Sequence, residues 1–263
     1  MTFQPVVPLS GYAGWLFLDR TADQQRATFN ESPAVVRVTE SFRDRIGDIR
    51  TAEDLVNDRE LLGVALGAFG LDDDINNTFF IRKVLEDGSV EPDALANKLA
   101  ANRYADFSKA FGFGDFSIAR TALSFFSDEI IDRYEAEQFK IAVGNQNNDM
   151  RLALNLGPAL TDVISGNESN NGKWFAMMGN APLRSMFQTA LGFSNSFAAI
   201  DLDQQLVQFQ ARAEATFGTD QMSDLASPEN QEKMIRLYML RAQANAAAGT
   251  SSASIALSLL QQI

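Results

Sequence analysis

Ser32-Pro33-Ala34-Val35-Val36-Arg37-Val38-Thr39-Glu40-Ser41-Phe42-Arg43-Asp44-Arg45-Ile46-Gly47 is the stretch that decides the fold class. Serine before proline reads as an N-cap followed by the first helical position, where proline's fixed φ and missing N–H cost nothing. Val35, Val38, Phe42 and Ile46 then recur at helical spacing, and Gly47 is a stop signal. The same grammar repeats along the chain. Thr51-Ala52-Glu53-Asp54 has the form of a capping box and opens a helix whose apolar face holds Leu55, Leu62, Leu66 and Phe69, with Gly70 at its end. Ser127-Asp128-Glu129 opens another, with Ile130, Ile131, Tyr134 and Ile141 as its stripe. Asn148 is the expected cap of a helix bearing Leu152, Leu156 and Leu160, which Gly157-Pro158 would kink or break. Ser227-Pro228-Glu229 starts a helix with Met234, Ile235 and Tyr238 on one face. Strand signals are weak. The expected fold is all-α: a compact multi-helix body over residues 1–245, with possible halves at about 30–145 and 146–245, and a tail at 246–263.

The two halves raise the question of an internal duplication. A shift of 122 positions places Leu61 on Leu183, Phe69 on Leu191, Gly70 on Gly192, Leu71 on Phe193, Ile75 on Phe197, Phe80 on Leu202 and Val84 on Leu206. Few pairs are identical, and any two amphipathic helices joined through glycine match about as well, so both readings stand at this level. The tail differs in kind. Ala246 to Ser254 is small and reads as a flexible spacer, and Ile255, Leu259 and Ile263 then fall four residues apart. Such a mobile apolar helix is unstable alone and needs a surface to dock on.

Composition excludes several functions. The 263 residues contain no histidine and no cysteine, which removes histidine-dependent triads, thiol chemistry, zinc clusters and disulfides. Lys plus Arg is 22 against 34 Asp plus Glu, a net charge of −12. That charge disfavours nucleic acids and anionic membrane surfaces. No stretch approaches the roughly 18 apolar residues of a spanning helix, and Met1–Leu18 lacks the leading positive charge of a secretory signal.

The candidate sites are few. Asp72, Asp74 and Asn76 match the first positions of a calcium loop, but Asn77 stands where glycine is required and Lys83 where a bidentate glutamate is required, so a polar turn is expected. Asp201 and Asp203 form either a carboxylate pair or, as expected here, a helix cap. Gly112-Phe113-Gly114 is a fragment of a dinucleotide fingerprint without its third glycine. Phe107, Phe111, Phe113, Phe116, Phe125 and Phe126 read as core. Trp174, Phe175, Met177 and Met178 suit either an adaptable binding surface or a buried helix. The expected partner-binding residues in the tail are Ile255, Leu257, Leu259, Leu260 and Ile263. No catalytic, cofactor-binding or metal-ligating residue is assigned.

Four blocks carry a resemblance across most of the chain: Ser10-Gly11-Tyr12-Ala13-Gly14-Trp15, Ala65-Leu66-Gly67-Ala68-Phe69-Gly70-Leu71-Asp72, Lys173-Trp174-Phe175 and Ala199-Ile200-Asp201-Leu202-Asp203-Gln204-Gln205-Leu206. Together they resemble a bacterial family of unknown function commonly encoded in flagellar gene clusters. Arg241-Ala242-Gln243-Ala244-Asn245 with Ile255-Ala256-Leu257-Ser258-Leu259-Leu260-Gln261 is similar to the C-terminus of flagellins, though the spacer between them and Pro5, Pro8 and Gly11 depart from the flagellin pattern. The resemblance implies a flagellum-linked role and transfers no catalytic residue.

The function expected from the sequence is a non-enzymatic, flagellum-associated structural or assembly protein acting through protein–protein interaction. It would reside in the cytoplasm or, after export, in the flagellum. The rivals are a cytosolic chaperone for exported flagellar subunits and a ligand-binding protein or enzyme using carboxylate or Ser-Lys chemistry. A raised carboxylate pKa beside a deep pocket would favour the last.

Overall fold

A computed structural model describes residues 3–99 and 102–260, with the backbone alone at 195 and 248–260. The protein is all-α: 14 α-helices and no β-strand occur among the described residues. No described helix is long and apolar enough to cross a membrane. The chain forms two compact units, Met1–Val6 with Thr21–Asn145, and Val7–Arg20 with Gln146–Ile263. Helix α1 (Gly11–Asn30) therefore gives its first half to the second unit and its second half to the first.

The first unit continues with α2 (Pro33–Arg45), α3 (Ala52–Asn57), α4 (Arg59–Gly67), α5 (Thr78–Asp87), α6 (Leu95–Lys98), α7 (Arg103–Phe111) and α8 (Phe126–Gly144). Helix α2 starts at Pro33 as read, and buries Val35, Thr39 and Phe42. Its N-cap works differently from the expectation. The Ser32 carbonyl accepts the Val36 N–H at 3.0 Å, while the Ser32 hydroxyl is buried and makes no hydrogen bond. Thr51 and Asp54 do form the reciprocal capping box, at 3.1 and 3.0 Å. The Thr51 hydroxyl and the backbone N–H groups of Arg50 and Thr51 hold the Asp54 carboxyl below its ordinary pKa.

The helix that opens there is shorter than its apolar pattern suggests. Asp58 breaks it: its carboxylate accepts the N–H groups of Glu60 and Leu61, both at 3.1 Å, and so caps a separate α4. A short acidic side chain competing for backbone donors outweighs the periodicity of Leu55 and Leu62. Leu55, Leu62, Leu66, Ile81, Val84 and Ile130 share one core with the rings of Phe107, Phe111 and Phe126. Phe111 packs on Phe107 and edge-on to Phe126, each at 5.1 Å between centroids.

The second unit contains α9 (Asn148–Ser165), α10 (Asn170–Gly179), α11 (Ala181–Leu191), α12 (Leu202–Phe217), α13 (Met222–Leu225) and α14 (Pro228–Leu260). The cap of α9 is Asn147, one residue before the expected Asn148, because its Oδ1 reaches the N–H groups of Asp149 and Met150 at 3.0 and 3.3 Å. Helix α9 runs through Pro158 without ending. Burial of Met150, Leu152, Leu156, Leu160 and Val163 along its length offsets the one hydrogen bond that proline removes. Here the second Ser-Pro start is capped by its side chain, Ser227 Oγ accepting the Asn230 N–H at 3.4 Å. Met234, Ile235 and Tyr238 are buried as read, and Tyr238 donates its hydroxyl to Asp149 at 2.5 Å.

The shift of 122 acquires a structural counterpart. In the first unit the Leu71 N–H bonds to the Leu66 carbonyl at 3.0 Å around Gly70 (φ +63). In the second the Phe193 N–H bonds to the Gln188 carbonyl at 2.9 Å around Gly192 (φ +76). This is the same glycine-dependent helix stop, 122 residues apart. A 3-10 turn follows each, Asp72–Asn76 and Asn195–Ala199. The match then slips by two, because the next helices are preceded by Asn77 and Asp201.

The tail departs from its reading. The backbone of 246–254, expected to be a pliable spacer, continues α14 as helix, which suits the alanines at 244 and 246–248. The side chains of Ile255, Leu257, Leu259 and Leu260, and the whole of Ile263, lie outside the described residues.

Candidate interaction surface

Of the two readings of Trp174, Phe175, Met177 and Met178, the buried helix holds for three of the four. Trp174, Met177 and Met178 are buried, and only Phe175 is exposed. Positions i, i+3 and i+4 of α10 share one face, and that face packs on α9, α11 and α12. Trp174 donates its indole N–H to the Asp220 carbonyl at 2.8 Å and packs edge-on to Phe187 at 5.8 Å.

The acidic turn is a structural junction. Asp72 accepts from Gln138 at 3.0 Å, while Asp74 accepts from the Tyr104 hydroxyl and from Asn77, each at 2.7 Å. Burial, followed by the bond to Asp74, raises the Tyr104 pKa. No side chain of the turn caps α5; the Asn77 carbonyl accepts the Ile81 N–H. Among the described residues no group of three or more acidic side chains is placed to hold a metal. Asp201 is a helix cap as read, its Oδ1 accepting from Asp203 and Gln204 at 2.9 and 3.4 Å.

The phenylalanine stripe divides. Phe107, Phe111 and Phe126 are fully buried, but Phe116 and Phe125 are 56% and 55% exposed, against the expectation of core. Both belong to the loop between α7 and α8, which is firmly held. Gly112 ends α7 at φ +67, and the Phe116 ring folds over it so closely that a Cβ there would stand 2.6 Å from Phe116 Cδ2. Gly114 presses backbone to backbone on the end of α5, where a Cβ would lie 2.4 Å from both the Glu86 carbonyl oxygen and the Gly88 nitrogen.

Asp115 then ties the two segments together. Its Oδ1 accepts the N–H groups of Ser89 and Val90 at 2.8 and 3.1 Å, and its Oδ2 accepts the Ser89 hydroxyl at 2.8 Å. Farther along, buried Thr121 donates to the Ile49 carbonyl at 2.6 Å, and Arg120 reaches Glu129 at 3.3 Å.

These anchors turn the intervening apolar side chains outward. Ile118 is 71% exposed, Leu123 41%, and Val90, on the segment bound by Asp115, 69%. Phe116, Ile118 and Leu123 line a recess of about 720 Å3 with Asp115, Ser117, Ala119 and Arg120. Isolated exposed apolar residues are ordinary, but these fall together on one braced loop, which makes it the candidate contact surface. A smaller recess of about 370 Å3 lies on α12 among Asp203, Gln204, Val207 and Gln208, with one apolar lining residue.

The sequence carries little local signal for this surface. Gly112 and Gly114 permit close packing on Phe116 and on the end of α5, but exposed Phe116, Ser117 and Ile118 before buried Ala119 form no alternating pattern.

The model of a family described as a protein of unknown function, DUF1217, matches residues 68–231. The chain belongs to this family. The DUF1217 match contains the whole braced loop as well as α10, α11 and α12. The crystal structure of protein AGR_C_984 from Agrobacterium tumefaciens is similar, at 26% sequence identity and a TM-score of 0.69, covering 90% of this chain and 97% of that one. No curated protein matches this DUF1217 chain.

Proposed function

We propose that this DUF1217 protein is non-enzymatic and works by protein–protein contact in flagellar assembly or structure. The exposed apolar side chains of the braced 112–125 loop carry the interaction part of the reading. Fully covering a side chain such as Phe116 or Ile118 contributes about 1.5–3 kcal/mol before ordering costs. Covering the exposed portions of Phe116, Ile118, Leu123 and Phe125 therefore supplies roughly 3–6 kcal/mol. The flagellar part rests on the sequence resemblance. The tail residues Ile255, Leu257, Leu259, Leu260 and Ile263 offer a second contact by laying a helix into a partner's groove.

Glu135 has its pKa raised by burial and by Asp132, the pattern that would point to an acid or base. It instead accepts Asn30 Nδ2 at 2.6 Å and lines neither recess. A cytosolic chaperone is the second reading, since an apolar recess also suits the shielding of apolar segments on exported subunits.

Cell fractionation separates the two. An axial or assembly component co-purifies with basal bodies or filaments, whereas a chaperone remains in the cytoplasm. Truncation at Gly249 should leave a folded body and weaken retention in the flagellar fraction. Retention at the intact level removes the tail from the mechanism, and absence from both flagellar fractions in motile cells removes the axial role.

A further inference from the structure

The exposed recess has a charge setting that selects its occupant. The first unit, Met1–Val6 with Thr21–Asn145, holds 23 Asp and Glu against 14 Lys and Arg, a net charge of −9 out of the chain's −12. The recess belongs wholly to this unit.

The charges near it fall into two groups. Arg120 is engaged by Glu129, Asp128 by Arg43, Glu86 by Arg82 and Asp87 by Lys83. Asp115 is occupied by three donors of Ser89 and Val90. Glu91 follows exposed Val90 directly, and Glu91, Asp93 and Asp106 are exposed with no ion pair among the described residues. The cations on the neighbouring segments without one are Lys98, Arg103 and Lys109, together with Arg50 beside the Ile49 carbonyl that holds Thr121. A partner approaching this surface meets exposed apolar side chains in the negative field of a unit of net charge −9, with the Glu91 carboxylate, unpaired among the described residues, next to Val90. Such a field repels a second copy of a chain carrying −12 and steers cations inward.

Resting on the interaction reading above, we propose that the Phe116–Ile118–Leu123 recess binds a polypeptide segment whose aliphatic side chains are flanked by lysine and arginine. The aliphatic groups cover the three apolar side chains, and the flanking cations lie toward Glu91 and Asp93.

The test uses the full chain and two synthetic amphipathic peptides with the same leucine stripe, one flanked by lysines and one by glutamates, followed by fluorescence anisotropy. The lysine peptide should bind about tenfold more tightly at low salt, the effect of two exposed ion pairs of ordinary strength. High salt should erase most of that preference, and the double variant Glu91→Lys/Asp93→Lys should shrink it. Equal binding of the two peptides, binding of neither, or a preference unchanged in that double variant overturns the proposal.

A Phe116→Ser/Ile118→Ser variant, checked as folded by its thermal transition, separates this proposal from the broader reading. If both peptides bind equally and both are lost in it, the contact surface stands and its charge selectivity falls. If that variant binds as the wild type does, the recess is not the contact surface and both fall.

Discussion

Replacing Asp115 by alanine should uncouple the 112–116 loop from the 88–90 turn. The carboxylate is the acceptor for the Ser89 and Val90 N–H groups at 2.8 and 3.1 Å and for the Ser89 hydroxyl at 2.8 Å. Hydrogen bonds to a charged group are worth about 1.5–3 kcal/mol each when protected. These are only part-buried, and water can satisfy the released donors, so the three together should contribute about 2–4 kcal/mol. The thermal midpoint of the first unit should then fall by roughly 6–12 °C. Backbone amides at Ser89 and Val90 should lose their hydrogen-exchange protection, because among the described residues no other acceptor reaches them. Asp115→Asn keeps one oxygen acceptor and should cost less than half as much. If Asp115→Ala melts with the wild type and keeps protection at both amides, the loop is not braced by this side chain. The exposed apolar group would then be a mobile loop rather than a prepared surface.

Trp174→Ala should destabilise the protein by about 3–5 kcal/mol in urea titration, as a buried ring in contact with Phe187 and Phe209. Phe175→Ala, on the exposed face of the same helix, should cost a small fraction of that. Thr51→Ala should cost about 1 kcal/mol by loss of the capping box. Because the Asp54 pKa is lowered in the folded state, the stability it confers is present above the ordinary aspartate range and is lost as pH falls through the lowered value. Stability plotted against pH should therefore show a weaker acid-side loss in the variant. Tyr238→Phe should cost about 1 kcal/mol near neutral pH. Burial and the bond to Asp149 raise the Tyr238 pKa, so the wild type should lose stability as pH rises above the ordinary tyrosine value of 10.0, a loss the phenylalanine variant should lack.

Helices were legible where cap chemistry and periodicity agreed. Thr51 with Asp54, Asp201, and the face of Met234, Ile235 and Tyr238 all fold as they read. Misreadings arose where a side chain had two possible hydrogen-bonding partners. Asp58 split one expected helix by taking two backbone donors, and Asn147 capped α9 one residue before Asn148. Ser32 and Ser227 precede proline identically, yet only the second caps through its hydroxyl, a difference set by tertiary surroundings.

The surface was the hardest part to read. Apolar pattern alone does not distinguish Phe111 from Phe116, because exposure at Phe116 follows from how Gly112, Gly114 and Asp115 fix the loop against α5. Long-range contacts of that kind have no local signature. At Trp174 composition left a surface and a buried helix both open, and the i, i+3, i+4 spacing of Trp174, Met177 and Met178 matches the buried face they occupy.

Placing a photoreactive amino acid at Ile118 in motile cells, and identifying what it joins to, tests the central claim most directly. Covalent adducts with one or a few flagellar axial or assembly proteins, absent when the same group replaces exposed Phe79, are the predicted result. No adduct at Ile118, or the same adducts from both positions, would contradict the claim that this braced loop is where the protein meets its partner.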